Sequence, residues 1–192
     1  MIVYLHGFRS SPLSFKARLL QQRMDALGLS GQYRCPQLPA SPKAAVALVQ
    51  GLIAGVPAKE LFLIGSSLGG YYATWLAEQT GCSAVMLNPA VAAARDLAQH
   101  VGLMPAWHSN EAFEFRPEYL DELKALAIPA ISRPERYFLI AASGDEVLDW
   151  REMTAYFALA RQRVIAGSDH GLSDFPDYLD DVLSFCHVDI NP

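Results

Sequence analysis

One serine in this chain stands where nucleophilic chemistry is feasible. Gly65-Ser66-Ser67-Leu68-Gly69 fits the G-x-S-x-G pattern in one register only, with Ser67 at its centre, because Ile64 would fall on the first glycine position if Ser66 took that place. An apolar run precedes the motif and a helical pattern follows it. Such a strand–turn–helix lifts the serine out of a sheet, and the flanking glycines let strand and helix approach closely. The helix N-terminus adds partial positive charge under the reacting centre. A Gly-rich turn of this kind can also cradle a phosphate, but the lysine of a P-loop is missing.

A serine hydroxyl needs a base. The five histidines are His6, His100, His108, His170 and His187. His170, in Gly167-Ser168-Asp169-His170-Gly171, follows the last predicted strand and obeys the chain order serine, acid, histidine. His187 ends the final helix and reads as a surface C-cap. His100 and His108 lie in an irregular stretch, and His6 reads as a brace for the loop that it opens. The acid that orients the imidazole is expected at Asp145, in Ala142-Ser143-Gly144-Asp145-Glu146-Val147, just past a strand. Glu146, Asp149 and Asp169 compete for the role, although Asp149 also fits as a helix N-cap. Some sheets of this class carry the acid after the preceding strand, where this chain has Asn88. Oxyanion donors are expected from the backbone N–H groups of Leu68 and Phe8, the latter in His6-Gly7-Phe8-Arg9.

The elements that must position these groups follow from apolar periodicity. Strands are expected at Ile2 to His6, near Tyr33 to Cys35, and at Leu61 to Ile64, Ala84 to Leu87, Tyr137 to Ala142 and Arg163 to Ile165. Helical patterns lie between them. One runs from about Ser14 to Leu27 with Phe15, Leu19, Leu20 and Met24 on one face. Another opens at Ser41-Pro42, an N-cap with proline at the first helical position. Others pass through Trp75 and near Trp150 to Leu159 and Asp177 to Cys186. The alternation implies an α/β domain, a six-stranded mostly parallel sheet with helices on both faces. Ligands of such sheets bind beyond the carboxyl ends of the strands. The stretch from about 91 to 132, broken by Pro105, Pro117 and Pro129, reads as a short helical insertion without a clear strand. Its Trp107, Phe113, Phe115 and Tyr119 either pack over the sheet or form a partial lid over an apolar pocket.

Composition narrows the rest. The 192 residues are 52% hydrophobic and 18% charged with a net charge of -5, which fits one core-rich domain and argues against a nucleic-acid partner. Cys35, Cys82 and Cys186 show neither disulfide-framework nor zinc spacing. The N-terminus lacks a signal-peptide pattern, and no apolar run is long enough for a membrane span. These features predict a cytoplasmic protein with no metal or cofactor, and leave the oligomeric state open.

Several segments also carry a family resemblance. Tyr4-Leu-His-Gly-Phe-Arg-Ser-Ser-Pro12 and Gly65-Ser-Ser-Leu-Gly-Gly-Tyr-Tyr-Ala-Thr-Trp75 resemble the oxyanion loop and nucleophile turn of the bacterial YqiA-like esterases. Asn88-Pro-Ala90, Gly144-Asp-Glu-Val-Leu-Asp149 and Gly167-Ser-Asp-His170 are similar to further family segments in the same order. The resemblance implies a compact α/β-hydrolase acting on acyl esters or acyl thioesters. It also implies Ser67, Asp145 and His170 as a triad, with Phe8 and Leu68 as oxyanion donors. An acyl-CoA thioesterase would need a cationic patch, and Arg9, Arg95 and Lys124 are scattered. A non-catalytic homologue that binds an acyl ligand is the alternative outside enzymes. The insertion departs from the family pattern, and Gly171 is expected to loosen the histidine loop.

Overall fold

The computed structural model describes residues 1–107 and 112–190. Eight strands and seven α-helices occur among them. The strands are β1 (Ile2–Leu5), β2 (Tyr33–Arg34), β3 (Phe62–Ser66), β4 (Ser83–Leu87), β5 (Gly102–Pro105), β6 (Ala112–Phe115), β7 (Tyr137–Ala142) and β8 (Arg161–Ile165). The helices are α1 (Phe15–Ala26), α2 (Pro42–Ile53), α3 (Leu68–Thr80), α4 (Ala93–Asp96), α5 (Glu118–Ala125), α6 (Trp150–Tyr156) and α7 (Leu179–Phe185). No helix among the described residues is long and apolar enough to cross a membrane.

Six strands form one parallel sheet in the order β2-β1-β3-β4-β7-β8. The four interior strands β1, β3, β4 and β7 are buried on both faces, apart from half-buried Ser83, which explains their unbroken apolar runs. Alternate side chains feed two cores. Val3, Leu5, Leu63, Met86 and Leu139 pack under α2, α3 and α6 on one face. Ile2, Tyr4, Ile64, Val85 and Ile140 pack under α1 and α7 on the other. Each such aliphatic side chain, fully buried, stabilises the fold by about 1.5–3 kcal/mol. The edge strand β8 is mostly exposed and carries Arg161 over the Phe138 ring and Arg163 paired with Asp181, charges that discourage edge-to-edge association.

The chain leaves β1 toward β2 on one side and returns to β3 on the other. The order therefore reverses between β1 and β3, the place where crevices form in such sheets. Both expected N-caps are present: the Ser41 hydroxyl accepts from the Ala44 N–H, and the Asp149 carboxylate accepts from the Arg151 N–H.

Two expectations need correction. The insertion is not simply helical. Besides α4 and α5 it contains an antiparallel hairpin, β5 with β6, in which Leu103 faces Glu114 and Met104 faces Phe113. Burial alternates along both strands, but four residues each is too short for a period of two to stand out. The second correction concerns α1. Its buried residues are Lys16, Ala17, Leu20 and Met24, while Phe15 is 47% exposed. In the first turn Lys16, and not Phe15, points inward, while Leu20 and Met24 are buried as expected.

Candidate active site

The turn after β3 is built around Ser67, whose backbone has φ 54° and ψ −121°, a strained conformation for a residue with a side chain. Backbone hydrogen bonds hold it. The Ser67 N–H donates to the Leu87 carbonyl, and the Ser67 carbonyl accepts from the Gly70, Tyr71 and Ala90 N–H groups. The glycines leave no room for alternatives. A Cβ on Gly65 would stand 2.4 Å from the Gly69 carbonyl oxygen, and one on Gly69 would stand 2.0 Å from that of Leu5. The crossing of helix α3 over β1 and β3 is thus as close as backbones allow.

His170 lies beyond β8, on the loop that leads toward α7. Its Nε2 is 3.1 Å from Ser67 Oγ and its Nδ1 is 2.8 Å from Asp145 Oδ2. The Asp145 side chain is fully buried and that of His170 is 20% exposed. With the Nδ1 proton donated to the carboxylate, Nε2 is free to accept from the serine hydroxyl. Asp145 Oδ1 is occupied by the N–H groups of Val147 and Leu148, so the carboxylate is oriented from both sides.

The competing acids have other partners. Glu146 accepts from the His170 backbone N–H at 3.0 Å, Asp149 caps α6, and Asp169 accepts from Ser173. Of the other histidines, His6 is buried and accepts from the Leu38 N–H at Nε2, which leaves Nδ1 to donate to the Gly7 carbonyl. That is the bracing expected of it. His100 packs its ring against Phe8, 5.8 Å between centroids. The His187 ring packs edge-on against Phe62 just past the end of α7. His108 lies outside the described residues.

The loop after β1 sits directly over the serine. A Cβ on Gly7 would be 3.2 Å from Ser67 Cβ and 3.7 Å from its Oγ. Neither the Phe8 N–H nor the Leu68 N–H has an acceptor among the described residues. The hairpin clamps this loop. The Phe8 ring meets Phe113 and Phe115 edge-on, Arg9 donates to the Pro105 carbonyl and lies 4.4 Å over the Trp107 ring, and the Trp107 N–H donates to the Arg9 carbonyl. A shallow, mostly apolar pocket beside Gly7 and Leu68 is lined by Phe8, Leu38, Ala40, Tyr72 and Phe113. The remaining cations considered for a patch are paired: Arg95 with Glu152 and Asp96, Lys124 with Asp121.

Two residues escaped sequence reasoning. Asn88 is fully buried with φ 42°, a conformation that asparagine tolerates better than most residues. Its Nδ2 donates to the carbonyls of Asp169 (3.0 Å) and His170 (3.1 Å), and its Oδ1 accepts from the Ala142 N–H at 2.7 Å. The only signal in the sequence was its place at a strand end, which suggested an acid rather than a loop anchor. The second is Lys16, whose ammonium donates to the Gly171 carbonyl. The loosening expected at Gly171 is thereby opposed, since this carbonyl is held from α1.

Solved structures share this architecture. Alpha/beta hydrolase domain-containing protein 10 from mouse matches with a TM-score of 0.70 at 14% identity, over 95% of this chain and 89% of that one. The metagenome-derived lipolytic enzymes LipS and LipT are represented by a match at TM-score 0.69 and 20% identity, covering 97% and 92%. Est1E from Butyrivibrio proteoclasticus with ferulic acid bound matches at TM-score 0.66 and 12% identity, covering 95% and 85%. These likenesses establish the α/β-hydrolase fold. Residues 1–187 match the model of the uncharacterised protein family UPF0227, and this chain belongs to that family, the YqiA family whose motifs it carries.

Proposed function

We propose that this protein is a serine hydrolase that cleaves carboxylic esters of small molecules. The observation that carries the reading is the unbroken line Asp145–His170–Ser67, with contacts of 2.8 and 3.1 Å, ending beside two backbone N–H groups that have no acceptor among the described residues. An oriented imidazole next to a strained, glycine-flanked serine is the arrangement that turns a hydroxyl into a nucleophile. Lipolytic activity is stated for one of the structural neighbours and bound ferulic acid for another, which supports an ester substrate.

In this mechanism Ser67 Oγ attacks the ester carbonyl carbon while His170 Nε2 takes the hydroxyl proton. The carbonyl π electrons move onto oxygen, where the Phe8 and Leu68 N–H groups stabilise the charge; such a donor is worth about 10²–10³ in rate. Asp145 stabilises the imidazolium. Collapse of the tetrahedral intermediate breaks the bond to the alcohol, which leaves with the proton from His170. Water then adds to the acyl-enzyme with His170 again accepting a proton, and the acid departs as Ser67 recovers its own. The apolar pocket beside Gly7 receives part of the substrate, and the insertion contributes Phe113 to its wall.

A series of p-nitrophenyl esters and acyl thioesters of increasing chain length tests the reading. Turnover by the parent and its loss in Ser67→Ala are expected. Equal rates for the two proteins would remove Ser67 from the chemistry.

A further inference from the structure

Three consecutive carbonyls around His170 are each held by a buried side chain from elsewhere in the fold. Asn88, after β4, takes those of Asp169 and His170. Lys16, in the first turn of α1, takes that of Gly171. A lysine is almost never buried unless paired, yet Lys16 is only 9% exposed. Its position at the end of the sheet, against the histidine loop, gives that burial a use.

We propose that Lys16 is a positioning residue for His170, its ammonium fixing the Gly171 carbonyl and completing with Asn88 a clamp that keeps the imidazole in line with Ser67. The proposal rests on His170 being the base of the reaction. Two charged groups face the ammonium: Asp169 on the clamped loop and Asp145 on the loop after β7. Both keep it protonated, but desolvation outweighs them and brings its pKa from 10.5 down to about 8. The clamp therefore has a pH limit. As pH rises through that value the amine becomes neutral, its hydrogen bond to the carbonyl loses charge assistance, and Asp145 and Asp169 lose a counter-charge. Below it the clamp is fully charged.

The test is the rate at which a fluorophosphonate probe labels Ser67, followed by intact-protein mass spectrometry across neutral and alkaline pH. It requires no knowledge of the natural ester. The parent should label fastest at neutral pH and slow several-fold as Lys16 deprotonates. Lys16→Arg keeps a charge throughout this range and should show no alkaline decline, whatever its absolute rate. Lys16→Met, similar in shape but without charge or donor, should label about tenfold or more slowly per folded molecule, the scale of a small misplacement of a reacting group, and without pH dependence on the alkaline side.

A Lys16→Met protein that is less stable but labels at the parent's rate would show a purely structural lysine and overturn the proposal. An alkaline decline of equal size in the parent and in Lys16→Arg would also overturn it, because the group that titrates would then not be Lys16. No labelling of Ser67 in the parent at any pH would instead remove the serine-hydrolase reading, and the proposal with it, so the two failures are distinguishable.

Discussion

Replacing Asn88 by alanine separates the scaffold from the chemistry it supports. The substitution removes three hydrogen bonds at a fully buried site. The Asp169 carbonyl keeps a partner, because the Leu172 N–H also donates to it. The Ala142 N–H and the His170 carbonyl do not. A buried polar group left without a partner costs about 1–3 kcal/mol, which applies in full to the Ala142 N–H; the partly buried His170 carbonyl adds less. Alanine carries the same Cβ at φ 42° but lacks the polar side chain that makes this conformation tolerable for asparagine, which adds part of the about 1–2 kcal/mol that the left-handed region costs. The total is a large share of the stability of a domain this size, about 5–15 kcal/mol. Urea unfolding followed by the fluorescence of Trp75, Trp107 and Trp150 measures it directly. Fluorophosphonate labelling of the molecules that remain folded should slow as well, because the His170 backbone has lost an anchor. If Asn88→Ala is too unstable to purify, Asn88→Asp keeps the shape and the contact to Ala142 but points a carboxylate oxygen at two carbonyls, and should show the same two defects. A loss below about 1 kcal/mol together with an unchanged labelling rate would refute the reasoning.

Two further substitutions probe other parts of the account. Asp145→Asn can still accept from Val147 and Leu148 while turning its amide toward His170 Nδ1, which forces the wrong tautomer; ester hydrolysis should fall by about 10³–10⁴ with the fold intact by circular dichroism. Retained activity would transfer the orienting role to another acid. Gly69→Ala places a methyl group 2.0 Å from the Leu5 carbonyl oxygen. Backbone rather than a flexible side chain stands in the way, so the melting temperature should drop sharply, or the protein should fail to accumulate in soluble form; an unchanged melting temperature would contradict the described α3–β1 crossing.

The parallel sheet was legible because its interior strands are buried on both faces and therefore read as unbroken apolar runs between amphipathic helices. The serine turn was legible because close approach of backbones dictates glycine at fixed offsets from Ser67, and that constraint is local. His170 and Asp145 could be placed only by chain order and by their position after strands, and the structure brings His170 to Ser67 and Asp145 to His170. What stayed hidden was either too brief to show a period or dependent on contacts far along the chain. The β5–β6 hairpin joins two four-residue segments whose alternation is too brief to read. Lys16 hides in a helix whose apolar pattern points to Phe15, because its inward turn serves a loop 155 residues away. Asn88 stands at a strand end like an acid would, and nothing in its neighbours reveals that its amide meets a loop 81 and 82 positions later.

The most direct measurement is to expose the folded protein to a fluorophosphonate probe, digest it, and locate the adduct by mass spectrometry. A single phosphonylated residue at Ser67, absent when His170 is replaced by alanine, is the predicted outcome. An unmodified Ser67 in correctly folded protein, or equal modification with and without the imidazole, would contradict it.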